Sequence, residues 1–150
     1  MERITFNEIP KEMMGNMIST ENYINNSSLD FQLLELIRLR VAQINKCAYC
    51  VDMHYKELKH TGETELRTST LSVWNETSFF TDKEKAVLQF TESLTELSKT
   101  DISNEIFDSL TRFFSTEEIC NLTLAISQIN TWTRLMRTFK STAGNYKVTK

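Results

Sequence analysis

The 150-residue sequence has the length of one domain and the composition of a globular protein, with 40% hydrophobic and 25% charged residues. Its 20 acidic residues outnumber its 17 lysines and arginines, and the formal charge of -3 argues against a nucleic-acid-binding or membrane-surface protein, which would need a basic patch. It begins without an apolar run of signal-peptide length, and no later segment approaches a membrane span. We therefore expect a cytoplasmic protein in which cysteines are kept reduced.

Apolar residues recur with helical spacing almost throughout, and one proline and three glycines leave few helix breakers. No strand pattern, linker or internal repeat stands out. The sequence therefore predicts a single all-α domain over residues 1–150, built as a bundle of about six or seven helices.

The first half of the sequence predicts four helices. They cover about residues 10–22, the stretch between the capping segment NNSSLDFQ and Asn45, residues 47–61, and about residues 64–74. Pro10 suits the first turn of a helix, and Gly62 suits the position just after a helix end. The second helix carries an apolar stripe at helical spacing, made of Leu29, Leu33, Leu36, Ile37, Val41 and Ile44.

The second half predicts three more helices. Thr81 with Glu84, and Ser115 with Glu118, form capping-box patterns that open the fifth and last helices, and Ser103 can cap the sixth. The predicted buried side of the fifth helix consists of Ala86, Val87, Phe90, Leu94 and Leu97, and that of the sixth of Ile106, Phe107, Leu110 and Phe113. The last helix has so broad an apolar arc that we expect it at the centre or in a subunit interface.

The segment NKCAYCVDMH places two of the three cysteines three residues apart, with a histidine four residues further on. On a helix, Cys47, Cys50 and His54 lie on one face, together with the apolar Val51 and Leu58, so this face points inward. Cys47 falls at the helix N-terminus, where the helix dipole favours a thiolate. His54 is placed to take the proton of Cys50. The spacing therefore suits a dithiol that reacts with a peroxide or a disulfide and closes on itself.

Three other interpretations compete with a redox dithiol. The cysteines can be inert buried thiols at chance spacing, and an inward histidine is often a satisfied core residue. A zinc site is the sharper rival, because Cys47, Cys50 and His54 are suitable ligands. A closed zinc site needs a fourth ligand, however, and His60 falls on another side of the helix.

Three stretches give the sequence a family resemblance. They are LLELIRLRVAQINKCAYCVDMHYKELKHTGETELR, VWNETSFFTDKEKAVLQFTESLTEL and NLTLAISQINTW. Together they resemble the AhpD-like (alkylhydroperoxidase D-like) branch of the carboxymuconolactone decarboxylase family, from about Tyr23 to Arg137. The resemblance implies an all-helical homo-oligomer (dimer, trimer or hexamer) that reduces peroxides with a Cys-x-x-Cys dithiol and neither metal nor another cofactor.

The family motif is a glutamate twelve residues before Cys-x-x-Cys-x-x-x-His, and Glu35, Cys47, Cys50 and His54 match it. The resemblance implies that Cys50 attacks and Cys47 resolves. It also implies that His54 is the base and that Glu35 completes the proton relay. Helix-dipole reasoning alone favours Cys47 as the more acidic thiol, whereas proximity to His54 favours Cys50.

Two positions do not follow simply from the resemblance. Periodicity places Glu35 opposite the apolar stripe beside Arg38, which is typical of a solvated ion pair, whereas the family role requires Glu35 to face the cysteine helix or another subunit. The best-known alkylhydroperoxidases carry a second histidine just before the second cysteine, and here that position is Tyr49. Tyr49 is a candidate for the substrate pocket, with core packing as the alternative.

Two further side chains carry predictions of their own. Arg40 falls inside the apolar stripe, where an unpaired charge would be costly, so we predict a buried or interfacial carboxylate partner for it. Cys120 falls on a polar strip of the last helix with Ser127 and Thr131, and we predict a bystander thiol, with a subunit contact as the alternative.

The sequence thus predicts a peroxidase-like thiol–disulfide oxidoreductase that acts on a small hydroperoxide and is recycled by an unidentified dithiol reductant. One alternative is a non-catalytic redox sensor or stress-response protein in which the dithiol switches a partner surface. Another is a decarboxylase-like enzyme of the same family, although that branch generally lacks the Cys-x-x-Cys motif.

Overall fold

The computed structural model describes residues 1–149, and these form seven α-helices and no β-strand. The helices are α1 (Lys11–Asn25), α2 (Phe31–Ile44), α3 (Ala48–His60), α4 (Glu65–Thr70), α5 (Asp82–Thr95), α6 (Asn104–Thr111) and α7 (Thr116–Phe139). Two 3₁₀ turns accompany them, Phe6–Glu8 before α1 and Leu71–Glu76 directly after α4. The prediction of an all-α fold is confirmed.

Several helices start where a short polar side chain can accept the free backbone N–H groups of the first turn. Asp30 accepts the N–H of Leu33 at the start of α2, and Ser103 does the same for Ile106 in α6. The two predicted capping boxes, which begin at Thr81 and at Ser115, are both present. These helix starts are therefore encoded locally.

Helix α2 lies at the centre of the fold and packs against α3, α5 and α7. Nine of its 14 residues are buried, and they include Glu35 and Arg38 as well as Leu33, Leu36, Ile37 and Val41 of the apolar stripe. For a helix to be buried on so many sides, other parts of the protein must also pack over its polar residues. Helix α7 packs against α1, α2, α3, α5 and α6, as its broad apolar arc predicts for a central helix.

Arg40 on α2 has a carboxylate partner, as predicted, but that partner is partly exposed and not buried. Its Nε donates to Oε1 of Glu92 on α5 at 2.7 Å, and the same oxygen accepts the indole N–H of Trp74 at 2.8 Å. Both charged side chains are only partly exposed. This pair therefore joins α2 to α5 away from the cysteine motif.

Several details differ from the sequence-based expectations. Leu97 is 55% exposed because α5 ends at Thr95, so its predicted place on the buried side is wrong. Phe107 and Phe113, also predicted on a buried side, are 46% and 38% exposed, and α6 buries only Leu110 deeply. The fourth predicted helix is a six-residue α4 that continues as a 3₁₀ turn. No helix within residues 1–149 is both long and apolar enough to cross a membrane.

Candidate redox-active site

The two cysteines of the motif lie at the beginning of α3. Lys46, in the left-handed region with φ 54°, ends the turn from α2. Cys47 is the N-cap residue of α3, and its Sγ accepts the backbone N–H of Cys50 at 3.3 Å. The two residues are joined as a disulfide with their Cα atoms 5.3 Å apart, a usual separation for such a bond. The chain thus closes a disulfide at a helix start, which the spacing permits.

His54 follows Cys50 by one helical turn and is bound to the carboxylate of Glu35. Its Nδ1 lies 2.7 Å from Oε2 of Glu35, and both side chains are buried. When Nδ1 carries the proton that this contact uses, Nε2 is the ring nitrogen left to exchange a proton elsewhere. The structure thus brings together the histidine and glutamate that the resemblance pairs.

Glu35 is 2% exposed, so the solvated ion pair that periodicity predicts is wrong, because this pair is buried. Its partner is indeed Arg38, whose Nη1 lies 2.7 Å from Oε1 of Glu35, but side chains of α1 bind Arg38 and His54 of α3 binds Glu35. Burial alone would raise the pKa of the Glu35 carboxyl. The charges and hydrogen bonds of His54 and then of Arg38 together outweigh burial and hold that pKa below its ordinary value.

A cavity of about 430 Å³ lies beside these groups, and both polar and apolar side chains line it. Cys50, His54 and Glu35 all line it, whereas Cys47 is not among the described residues of the lining. The apolar part of the wall is formed by Phe6, Ile18, Phe31, Met53, Trp132 and Met136. Of the two cysteines, Cys50 alone is therefore among the described residues that border a space a small molecule could enter.

Tyr49, predicted for the substrate pocket, also lines this cavity. Its ring lies 5.7 Å from that of Phe6, in a tilted arrangement. Burial, followed by the nearby charges of Asp52 and Glu2, raises the pKa of the Tyr49 hydroxyl. This phenol is therefore a neutral group of the wall at physiological pH.

Sequence reasoning missed a second tyrosine in the cavity. Tyr146 comes from the C-terminal segment, and its hydroxyl donates to Oε1 of Glu57, another lining residue. Burial first, and then Glu57, raises the pKa of the Tyr146 hydroxyl. No periodic pattern includes this residue, so its aromatic character in a terminal segment was the only available signal.

The remaining cysteine lies apart from the motif. Cys120 is a free, exposed thiol in the first turns of α7, and its role as a bystander or a subunit contact stays a prediction. Within residues 1–149, no three or more histidine, cysteine or acidic side chains are grouped so that they could hold a metal ion.

The fold, with this motif on it, is that of AhpD-like proteins. A protein of unknown function from Agrobacterium tumefaciens, ATU0492, described as a candidate antioxidant defence protein AhpD, superposes with a TM-score of 0.92 at 36% identity, over 97% of this chain and 100% of that one. An uncharacterized peroxidase-related protein from Silicibacter sp. TM1040 has a TM-score of 0.81 over 91% of this chain and 72% of its own, and at 18% identity this shows the fold alone.

The comparison of sequences gives the family. The chain belongs to the carboxymuconolactone decarboxylase family, whose profile matches residues 11–93, and within that family it is AhpD-like. The uncharacterized protein YdfG of Bacillus subtilis (strain 168) is 37% identical over 134 residues, which make up 89% of this chain and 91% of YdfG.

Proposed function

We propose that the protein is a peroxidase-like thiol–disulfide oxidoreductase that reduces hydroperoxides with Cys50 and Cys47. The observation that carries this proposal is a disulfide whose Cys50 lines a cavity together with the His54–Glu35 pair. A cysteine that reacts needs thiolate character and access to its substrate, whereas a purely structural cysteine needs neither. The antioxidant description of the Agrobacterium relative supports the same class of reaction.

The reaction begins with the reduced dithiol. His54 takes the proton of Cys50, and the thiolate attacks the terminal oxygen of the hydroperoxide. The O–O bond breaks, Cys50 becomes a sulfenic acid, and the leaving alkoxide takes the proton from His54 and departs as an alcohol. Glu35 stabilises the imidazolium that exists between these two proton transfers.

Resolution forms the disulfide that the structure contains. The thiol of Cys47 attacks the Cys50 sulfur, the S–O bond breaks, and the hydroxide leaves as water with the proton of Cys47. The dithiol has then given two electrons to the peroxide. An external dithiol returns them by thiol–disulfide exchange and is itself oxidised to a disulfide.

The cavity supports the assignment of the attacking sulfur. Cys50 borders the open space and Cys47 lies at the N-cap, within reach of Cys50 but outside the described lining. Attack by Cys50 and resolution by Cys47 fit this placement. The dipole argument for Cys47 concerns acidity alone and takes no account of access.

Peroxide consumption with dithiothreitol as reductant tests the proposal. We expect Cys50→Ser to abolish turnover and Cys47→Ser to prevent recycling through the internal disulfide. Cys120→Ser is the matched control, because this exposed thiol lies outside the site, and it should consume peroxide at the wild-type rate. Wild-type rates in both motif variants would refute the mechanism.

The same assay separates an enzyme from a redox sensor. An enzyme consumes many equivalents of peroxide for each chain while reductant lasts. A sensor is oxidised once and then turns over too slowly for a measurable steady state. A single round of oxidation under excess dithiothreitol would therefore favour the sensor over the proposed enzyme.

A further inference from the structure

A second carboxylate and an arginine extend the His54–Glu35 pair towards the cavity rim. Arg38 is 2% exposed, and its Nη1 contacts Glu35 at 2.7 Å. Its Nη2 contacts Oε1 of Glu21 at 2.5 Å and Oδ1 of Asn25 at 2.7 Å, both on α1. The Glu21 side chain is 26% exposed and also accepts the indole N–H of Trp132 at 3.2 Å. Arg38 is thus held by partners on two helices.

We propose that Arg38 is a positioning residue of this site, which keeps the Glu35 carboxylate ionised and turned so that its second oxygen meets His54. Its planar guanidinium presents one terminal nitrogen to each of two carboxylates, Nη1 to Glu35 and Nη2 to Glu21. With Oε1 of Glu35 fixed by Arg38, Oε2 is the oxygen available to His54.

Arg38 acts by its charge and geometry and does not carry protons. Arginine keeps its proton in proteins, so a chain of proton transfers cannot pass through it to Glu21. A proton taken up by His54 therefore cannot pass beyond Glu35, and in the proposed reaction it goes to the leaving group in the cavity that Cys50 and His54 line. Arg38 therefore supports Glu35 electrostatically and is not a member of a proton relay.

The charged and titratable surroundings of Glu35 come from several elements. Those that line the cavity are Glu21 from α1, Arg38 from α2, Tyr49, Cys50, His54 and Glu57 from α3, and Tyr146 from the C-terminal segment. Helix α7 contributes only the uncharged Trp132 and Met136 to this lining. Arg38 is therefore the permanent cation of the described lining.

Removal of Arg38 makes the Cys50 thiolate less stable by either available route. If Glu35 stays ionised, its negative charge is no longer balanced by Arg38, and it opposes the thiolate as long as His54 is neutral. If Glu35 takes up a proton, it no longer stabilises the His54 imidazolium that would pair with the thiolate. Both routes raise the apparent pKa of Cys50.

The test is the pH dependence of iodoacetamide alkylation of Cys50 in a Cys47→Ser, Cys120→Ser background, where Cys50 is the only thiol. We expect Arg38→Met to move the midpoint of the alkylation curve up by about one pH unit, and so to slow alkylation about tenfold below the midpoint. Arg38→Lys keeps the charge, and its midpoint should lie close to that of the same background with Arg38 intact. A residue that only supports the fold would change the limiting rate at high pH and leave the midpoint in place.

Arg40→Met is the matched control. Arg40 lies on the same helix and is also paired with a glutamate, but it contacts α5 and not the site. Arg40→Met should leave the midpoint of the alkylation curve unchanged. A midpoint unmoved by Arg38→Met, or moved equally by Arg40→Met, would overturn the inference.

A variant pair covers the case in which Arg38→Met alone does not fold. Glu35→Gln with Arg38→Met removes both charges of the buried pair, and the remaining partner of Arg38, Glu21, is partly exposed to water. If Arg38 acts through Glu35, this double variant should have nearly the midpoint of Glu35→Gln alone, and a further large shift would contradict the inference.

The inference rests on the proposed function only in taking Cys50 as the reacting thiol. Alkylation needs neither peroxide nor an external dithiol. A protein that fails to consume peroxide would therefore refute the proposed function and leave this test intact, whereas an unmoved midpoint in an active peroxidase would refute the inference alone.

Discussion

Glu35 has almost no contact with water, and its two carboxylate oxygens are divided between Arg38 and His54. A buried carboxylate without such partners would take up a proton instead of staying charged. These two partners are therefore what keeps an anion in the interior beside His54. The buried ion pair of Glu35 and Arg38 holds His54 in place. Such pairs add little net stability, because burying charges is costly, but they fix the orientation of the side chains they contact.

Glu35→Gln tests how far this pair contributes to stability. The substitution leaves Arg38 with one fewer anion, and we expect the free energy of unfolding at pH 7 to fall by on the order of 3 kcal/mol, measured by urea denaturation. Glu96→Gln is the control, because Glu96 forms an exposed pair with Lys99, and its removal should change stability by less than about 1 kcal/mol. Equal effects of the two substitutions would contradict this account.

The pH dependence of the same measurement has a definite sign. The pKa of Glu35 in the folded protein lies below its ordinary value of 4.5, so the folded state binds a proton at Glu35 less readily than the unfolded chain does. Its contribution is complete above that ordinary value and is lost as the pH falls through the folded pKa. Wild-type stability should therefore drop more steeply in acid than that of Glu35→Gln, and parallel curves would refute the assignment.

At the level of single residues, the motif could be predicted from the sequence and its surroundings could not. The spacing of Cys47, Cys50 and His54 fixes their common helical face. The burial of Glu35 depends on α1 and α3 covering the polar side of α2, and periodicity within α2 contains no information on that. Only the family resemblance pointed to the correct side.

At the level of elements, the C-terminal segment lies against α3 and completes the cavity. Lys56 Nζ contacts the carbonyl oxygens of Gly144 at 3.3 Å and Tyr146 at 2.9 Å. Asp52 accepts the Gly144 N–H at 2.9 Å and pairs with Lys56 at 2.7 Å. One turn of α3 thus anchors the segment that brings Tyr146 to the site.

Lys56→Met should loosen this segment. The substitution removes both contacts to its carbonyl oxygens, so we expect the backbone N–H of Gly144 to exchange with solvent several-fold faster, as measured by hydrogen–deuterium exchange. Lys59→Met on the same helix is the control, because Lys59 contacts Glu63 and Glu65 instead. If exchange at Gly144 does not change in Lys56→Met, this anchor has no importance for the segment.

Elements with local signals were predictable and the rest were not. The caps at Thr81, Ser103 and Ser115 were all visible in the sequence, because a helix start is fixed by a few adjacent residues. The end of α5 at Thr95 was not, since Leu97 continues the apolar spacing beyond it. The terminal segments that supply Phe6 and Tyr146 have no periodicity at all, and their positions depend on contacts with distant helices.

At the level of the whole molecule, the charged pair beside His54 is attached to α2, the helix with the largest buried share of its residues. α2 carries Glu35 and Arg38 on one side and contributes Leu34, Leu36, Ile37 and Leu39 to the core. Interiors packed at crystal-like density hold such a helix rigidly, so the carboxylate has a fixed position. The homo-oligomer expected from the resemblance stays a prediction.

Leu36→Ala measures the importance of this core. Leu36 is 1% exposed, and its truncation should lower the free energy of unfolding by about 2–5 kcal/mol in urea denaturation. Leu97→Ala is the matched control, because the same atoms are removed from a side chain that is 55% exposed, and it should change stability by about 0.5 kcal/mol at most. A loss of stability in Leu97→Ala as large as that in Leu36→Ala would contradict the end of α5 at Thr95.

The central claim is that Cys50 attacks and Cys47 resolves, and the intact mass of the reduced protein after one equivalent of peroxide tests it most directly. We predict that the wild type loses two hydrogen atoms as the disulfide closes. Cys47→Ser should gain one oxygen atom as an unresolved sulfenic acid, and Cys50→Ser should remain unchanged under the same exposure. An added oxygen in Cys50→Ser, with no change in Cys47→Ser, would contradict the account, because the roles of the two cysteines would then be reversed.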